Sequence, residues 1–229
     1  MLSGGVLVVR HGLTQWNTDQ RWQGWADIPL SEIGRQQARF AAKSLAVLLT
    51  GHGPIRIVSS DLDRAHATAV TFAEALGVAN VRREESLRER HVGDLSGLTS
   101  HEINQRWPGL LDRWRSGDTV PLPGGEDEEG FRARIFEALT SEARRSSESG
   151  GTTVLVSHGG AIRTLEAILE IDARHVANVG GRWFYWDGDN VIPGDPVDLL
   201  DDPPSSAQSL KTLSRSRADR STNQPQTSL

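Results

Sequence analysis

Apolar runs and amphipathic stretches alternate along the first 190 or so residues. Val6 to Val9, Ile55 to Val58 and Thr152 to Ser157 are short, β-branched runs bounded by Gly, Pro or polar residues. Such runs predict strands covered on both faces. Val78 to Val81 is read as a fourth strand and Trp183 to Trp186 as an edge strand. Between them the period lengthens. Ser31 is placed to cap a helix after Pro29 and Leu30, with Ile33, Phe40, Ala41, Leu45 and Leu48 on one face. Gly51 to Pro54 breaks it. Ala65, Ala69, Phe72 and Leu76 recur at helical spacing, and Gly77 ends that helix. Residues 99–116 predict one or two short helices divided at Pro108, and Pro121 to Gly125 a loop. A helix from Glu126 to Arg145 aligns Phe131, Ile135, Leu139 and Ala143, and Gly159-Gly160 opens another.

Strands alternating with helices predict an α/β protein: a single three-layer α/β/α domain around a mostly parallel central sheet. From Pro193 the pattern stops, and Pro, Ser, Asp, Gln and Thr dominate. The expected division is a domain over residues 1–192 and a low-complexity, disordered tail over 193–229. Val197 to Leu200 has enough apolar character to dock on the domain.

Composition narrows the function classes. A formal net charge of −5 and a pI near 5.8 argue against a nucleic-acid partner. A small anionic ligand is still compatible, because local arginines can make a positive pocket in an acidic protein. The chain has no cysteine, which excludes disulfides, thiolate zinc sites and thiol nucleophiles. No run of about 18 apolar residues occurs, so no membrane span is expected. Residues 1–9 lack the basic start and apolar core of a signal peptide, and the expected compartment is the cytoplasm.

The chemistry sits at the strand-to-helix junctions. Val8-Val9-Arg10-His11-Gly12 ends the first strand, where open α/β sheets place ligand sites. An imidazole beside a fixed cation there suits attack on a phosphoryl group. The second junction carries Ser60-Asp61-Leu62-Asp63-Arg64 and the last Val156-Ser157-His158-Gly159-Gly160. Leu87-Arg88-Glu89 adds a carboxylate. Two arginines, two histidines and a carboxylate above one sheet would bind a phosphomonoester and react with it.

These segments resemble the histidine phosphatase superfamily, the branch that also holds the cofactor-dependent phosphoglycerate mutases. The resemblance rests on Arg10-His11-Gly12-x-Thr14-x-x-Asn17, Leu30-Ser31-x-x-Gly34-x-x-Gln37-Ala38 and Ser59-Ser60-Asp61-Leu62-x-Arg64-Ala65-x-x-Thr68-Ala69. It continues through Leu87-Arg88-Glu89, Gly124-Gly125-Glu126 and Val156-Ser157-His158-Gly159-Gly160, in the family's order over roughly residues 5–187. It implies a phosphoglycerate mutase-like fold. It also implies a phosphohistidine on His11, with Arg10, Arg64 and His158 holding the phosphoryl oxygens. Glu89 would protonate the leaving alkoxide and then activate water. The expected substrate-binding set is Asn17, Thr14, Gln23, Gly24 and Gly159. Neither metal nor cofactor is expected, since the cations supply the electrostatics. The partner is a small phosphorylated molecule, and the family's habit suggests a homodimer through the strand at Arg182 to Trp186.

Other polar residues carry plainer readings. His91 is read as structural or at the rim, and His52, His66, His101 and His175 have no partner at metal-ligand spacing. Glu126 reads as a helix cap. Trp16 reads as packing, while Trp22 and Trp25 are either packing or a stacking wall for a sugar. The first loop, Arg21 to Asp27, and Glu89-Arg90-His91-x-Gly93 resemble the mutase version. Mutases shield their intermediate with a long insertion carrying paired arginines and prolines. Here 68 residues separate Glu89 from His158, and the only candidate arginines are Arg113 and Arg115 around Trp114. The expected activity is therefore hydrolysis of a sugar or glycerate phosphate. A phosphoglycerate mutase and a non-catalytic phospholigand-binding protein are the alternatives.

Overall fold

The computed structural model describes residues 4–116, 118, 120–171 and 176–201. Strand β1 (Gly5–Arg10) sends Leu7 and Val9 into one core and Val6 and Val8 into another, as the two-residue period of a strand requires. It leads to a one-turn helix, α1 (Gln15–Thr18), closed by reciprocal capping between Thr14 and Asn17. Helix α2 (Glu32–Leu48) starts at the expected cap, where the Ser31 hydroxyl accepts from Gly34 N–H at 3.0 Å. Its buried face is Ala38, Ala41, Ala42 and Leu45. Ile33 and Phe40, expected on that face, are 59% and 46% exposed. The buried stripe follows the alanines, whose small side chains let α2 pack closely on its neighbours.

Strand β2 (Ile55–Ser59) precedes α3 (Asp63–Leu76), which buries Ala65, Ala69 and Phe72 and ends at Gly77 with φ 67°. The expected strand from Val78 begins later, as β3 (Val81–Arg83). Val78 instead closes α3, its N–H reaching Ala73 O at 2.9 Å. Two short helices, α4 (Ser100–Arg106) and α5 (Leu110–Arg115), flank Pro108 as expected. Helix α6 (Glu128–Ser149) buries Phe131, Ile135, Leu139 and Ala143 and is capped by Asp127. Strand β4 (Thr152–Ser157) runs straight into α7 (Gly159–Ile168). A hairpin, β5 (Gly180–Trp186) and β6 (Val191–Asp198), completes the described chain.

The six strands are ordered β3-β2-β4-β1-β5-β6. The first four are parallel, β5 runs antiparallel to β1, and β6 antiparallel to β5. Helices α2 and α3 cover one face, α6 and α7 the other. A third cluster, Val92, Leu95, Ile103, Leu111 and Leu122, builds a small cap around α4 and α5. This is the expected three-layer α/β/α arrangement.

Two expectations fail at the carboxyl end. Strand β5 is an interior strand, so Arg182 to Trp186 offers no free edge. The domain also continues past residue 192. Asp187 accepts from the Asp189 and Asn190 N–H groups at 2.9 and 2.8 Å, turning the chain into β6. Pro193 and Pro196 looked like breakers, but β6 is an edge strand, where a missing N–H on the open side costs nothing. Leu199 is 2% exposed in the core under α2 and α3, so the Val197 to Leu200 segment does dock. The tail reading for residues 202–229 falls outside the described residues. Among the described residues no helix is long and apolar enough to cross a membrane.

Candidate active site

The parallel register of β1 and β4 sets Arg10 beside Ser157. The next residue of each strand is a histidine. His11 N–H donates to Ser157 O at 3.0 Å, and the His11 and His158 rings meet edge-on with centroids 5.2 Å apart. His11 Nδ1 lies 2.7 Å from Gly12 O. A carbonyl only accepts, so Nδ1 carries the proton and Nε2 keeps its lone pair. The surrounding backbone is braced. Asn178 Nδ2 donates to His11 O at 2.9 Å, and Gly12 N–H donates to the Thr68 hydroxyl at 3.1 Å. Gly34 lets α2 touch this loop, since a Cβ there would lie 2.0 Å from Leu13 O.

Burial, reinforced by Arg64 and Arg10, holds the His11 imidazolium well below its usual range. Burial also depresses His158, again with Arg64 nearby. Both rings are therefore neutral near pH 7. Arg64 is 1% exposed, and its NH1 and NH2 donate to Ala26 O and Gly24 O at 2.7 and 2.8 Å. Burial pulls its pKa to about 10, against the opposing pull of Glu89 and Asp27. Arg10 reaches Val176 O at 2.8 Å and is lowered by burial too. Four buried nitrogens have no partner among the described residues: Nε of Arg10, Nε of Arg64 and both ring nitrogens of His158. Each such atom costs about 1–3 kcal/mol when left unpaired. Neutral His158 offers one N–H donor, so three of the four are donors that an anion with several acceptor oxygens would pair with.

Glu89 sits across the cleft. Its two carboxylate oxygens accept from Arg90 N–H at 2.9 Å and Gly160 N–H at 2.8 Å, the latter at the N-terminus of α7. Its own backbone is stapled from two sides. Trp25 Nε1 donates to Glu89 O at 2.7 Å. Arg134 of α6 donates to the carbonyls of Ser86, Arg88 and Glu89 at 2.8, 2.8 and 2.9 Å. Glu126 pairs with Arg134 at 2.6 Å and accepts from His91 N–H at 3.2 Å. Glu126 was read as a helix cap. Asp127 takes that place, and Glu126 ties the Glu89 loop to α6.

Arg10, His11, Asn17, Gln23, Gly24, Arg64, Glu89 and Gly159 all line one cleft of about 560 Å³. Thr14 and His158 stand behind its wall. Thr14 is fully buried, with its hydroxyl 3.1 Å from both Asn17 Oδ1 and Gln23 Oε1. It orients those two amides. Asn17 Oδ1 also accepts Thr14 N–H at 3.1 Å, which leaves the Asn17 amide donors for the cleft. Trp22 lines the cleft and meets Trp114 edge-on at 5.2 Å. Trp16 packs under Gly97. Arg115 reaches the cleft, whereas Arg113 faces Asp118 at 3.5 Å.

Arg134 and Asn178 were missed in the sequence. The signal for the first is its place on the helix that follows Gly124-Gly125-Glu126, one turn past the buried Phe131. Asn178 carries no local signal. Among the described residues no three His, Asp or Glu side chains gather as a metal set. His52, His66 and His101 bond Thr152, Ser59 and Gln105, and His175 lies outside the described residues.

Residues 6–181 match the model of the histidine phosphatase superfamily (branch 1). The chain belongs to that superfamily. A glucosyl-3-phosphoglycerate phosphatase from Mycobacterium tuberculosis (strain ATCC 25618 / H37Rv) is 40% identical over 170 residues, 72% of this chain and 74% of the relative. A 2,3-bisphosphoglycerate-dependent phosphoglycerate mutase from Chelativorans sp. (strain BNC1) is 32% identical over 74% of this chain and 82% of its own. A mycobacterial glucosyl-3-phosphoglycerate phosphatase solved with VO3 superposes with a TM-score of 0.71 at 35% identity, covering 83% of this chain and 96% of that one. The superfamily that the motifs resembled is thus the one to which the chain belongs, and phosphatases of this superfamily are among its relatives.

Proposed function

We propose that this chain is a metal-independent phosphatase of small phosphomonoesters of the sugar or glycerate type, working through a phosphohistidine on His11. The observation that carries the reading is the His11 Nδ1 bond to Gly12 O at 2.7 Å, which leaves Nε2 as a free nucleophile beside two arginines. Nε2 attacks phosphorus in line, and the P–O bond to the leaving group breaks. Arg10, Arg64, Asn17 and His158 donate to the equatorial oxygens, where charge spreads in a loose transition state. Glu89 gives its proton to the departing alkoxide. It then takes one from water as water attacks the phosphohistidine, releasing phosphate and restoring neutral His11. Gln23 and Gly24 flank the ester on the side of the first loop.

The glucosyl-3-phosphoglycerate phosphatases among the relatives support a substrate of that type. The Trp22–Trp114 pair supports it further, as an apolar wall against which a sugar ring can lie. A mutase reading has its own support in the mutase relatives. Against it stands the short cap of α4 and α5, which brings Arg115 but no arginine pair to the cleft.

Phosphate release from 3-phosphoglycerate, glucosyl-3-phosphoglycerate and an aryl phosphate, with EDTA present, tests the proposal. The expected result is EDTA-resistant release that vanishes in His11→Ala. Near-normal turnover in His11→Ala would sink the mechanism. Rapid formation of 2-phosphoglycerate without free phosphate, in the presence of catalytic bisphosphoglycerate, would make the chain a mutase.

A further inference from the structure

Two groups of the site must work on either side of one P–O bond. Arg64 holds the phosphoryl oxygens, and Glu89 meets the leaving oxygen. Arg64 stands in the first turn of α3, whereas Glu89 lies on the loop after β3. Glu89 is near enough to Arg64 to pull its pKa upward. Their relative position is set by the first loop, which packs between the two segments.

Three consecutive residues of that loop make the link. The carbonyls of Gly24 and Ala26 accept from Arg64 NH2 and NH1 at 2.8 and 2.7 Å. Between them the Trp25 side chain turns to the other segment, and its Nε1–H donates to Glu89 O at 2.7 Å. The loop is pinned on both sides of this tripeptide. Asp27 Oδ1 accepts the Asp63 N–H that begins α3, at 2.7 Å. Gly24 lies so close to the Glu89 segment that a Cβ there would be 2.6 Å from Val92 Cγ2. The indole is also held in orientation. The Arg88 guanidinium lies over it at 4.8 Å, and the His91 ring meets it edge-on at 4.9 Å. Arg88 is fixed in turn by Asp61 after β2, its Nε 2.8 Å from Oδ1. Trp25 is 39% exposed and stands outside the cleft that Trp22 lines. Of the two roles expected for it, a sugar wall is therefore Trp22's alone.

We infer that Trp25 is a positioning residue, whose indole N–H registers the proton carrier Glu89 against the phosphate clamp Arg64. This rests on the phosphatase reading above and adds to it a residue outside the cleft. Arg134 donates to the same Glu89 carbonyl from α6, at 2.9 Å. That bond keeps the segment folded when the indole N–H is removed, so the loss falls on the register of the acid. A misplacement of about 1 Å is enough to cost about 10²-fold in rate.

The test compares kcat/KM for two kinds of ester. One is the better of the two alkyl esters named above, whose alkoxide must be protonated. The other is nitrophenyl phosphate, whose phenolate leaves unaided. The variants are Trp25→Phe and Trp25→Ala, with Glu89→Gln as reference. Trp25→Phe should lose about 10-fold on the alkyl ester, the worth of one hydrogen bond, and less than about twofold on the nitrophenyl ester. Trp25→Ala should shift the ratio of the two esters by a similar factor, since both variants lack the N–H. That ratio, read on one sample, is independent of the folded fraction, so a general loss of structure does not move it. Equal losses on both esters, or a wild-type ratio in Trp25→Phe, overturns the inference and leaves the phosphatase reading in place. An unchanged ratio in Glu89→Gln removes Glu89 as the acid, and the inference falls with it. No release from either alkyl ester by the wild type sinks the phosphatase reading itself.

Discussion

At the scale of single residues, the site depends on which nitrogen or oxygen is left free. His11 is a nucleophile on this reading because Gly12 O occupies its Nδ1 side and burial keeps it neutral. On the same reading Glu89 is the proton carrier, and two backbone N–H groups, those of Arg90 and Gly160, position its carboxylate. Its two tasks can be separated. An alkoxide leaving group needs the proton, and a nitrophenolate does not. Glu89→Gln should therefore cut turnover of alkyl phosphates by about 10²–10⁴. With nitrophenyl phosphate the same variant should give a fast burst of nitrophenolate equal to the enzyme present, followed by slow turnover as phosphohistidine accumulates. Rapid-quench or stopped-flow measurement reads this directly. An equal loss on both esters without a burst would mean that Glu89 does neither task. His11, Arg64, Glu89 and His158 were legible in the sequence because each adjoins a recognisable strand end or turn. Arg134 and Glu126 were not, because their roles depend on each other and on the carbonyls of residues 86 to 89.

At the scale of elements, the chain's terminal hairpin matters most. Composition from Pro193 onward reads as tail, yet β6 pairs along β5 from Val191 to Asp198. Arg182 ties this hairpin to the body. It pairs with buried Glu166 of α7 at 2.7 Å and donates to Gly194 O of β6 at 2.8 Å. Removing β6 leaves that carbonyl contact unmade, uncovers β5 and strips Leu199 from the core. A chain ending at Pro193 should therefore be markedly destabilised, seen as a lowered urea midpoint and reduced activity. A chain ending at Asp201 keeps every described element and should match the full chain in both. Equal stability of the Pro193 and Asp201 chains would return β6 to the status of a tail. The α2 face makes a related point. Helical period alone allowed Ile33 and Phe40 to be placed inside, and the neighbouring alanine stripe won because it packs more closely.

At the scale of the whole molecule, burying two neutral imidazoles links stability to pH. His11 and His158 bind protons at about pH 6.5 in the unfolded chain but only well below that when folded. Below pH 6.5 the unfolded state thus holds more protons, so stability is full above that value and falls as pH drops toward the folded values. His52 and His66, lowered by burial as well, act in the same direction. The urea midpoint should decline from pH 7 to pH 5.5, and less steeply in a His11→Asn/His158→Asn double variant. A midpoint that holds or rises over that range, or an unchanged slope in the variant, would contradict the neutral-pair assignment.

The chain's own pattern was enough to specify the alternating strands and helices, their caps at Ser31 and Gly77, and the superfamily to which its junction motifs belong. Those features are local: they depend on hydrophobic period, capping groups and residues adjacent in sequence. Tertiary structure alone decided that β1 and β4 would be neighbours, which sets His11 against His158. It also decided that β6 would finish the sheet and that Glu126 and Arg134 would brace Glu89. The physical reason is the same for each. These contacts gain their energy from burial and hydrogen bonds between segments far apart in the chain, and no local period records which distant surface will supply the partner.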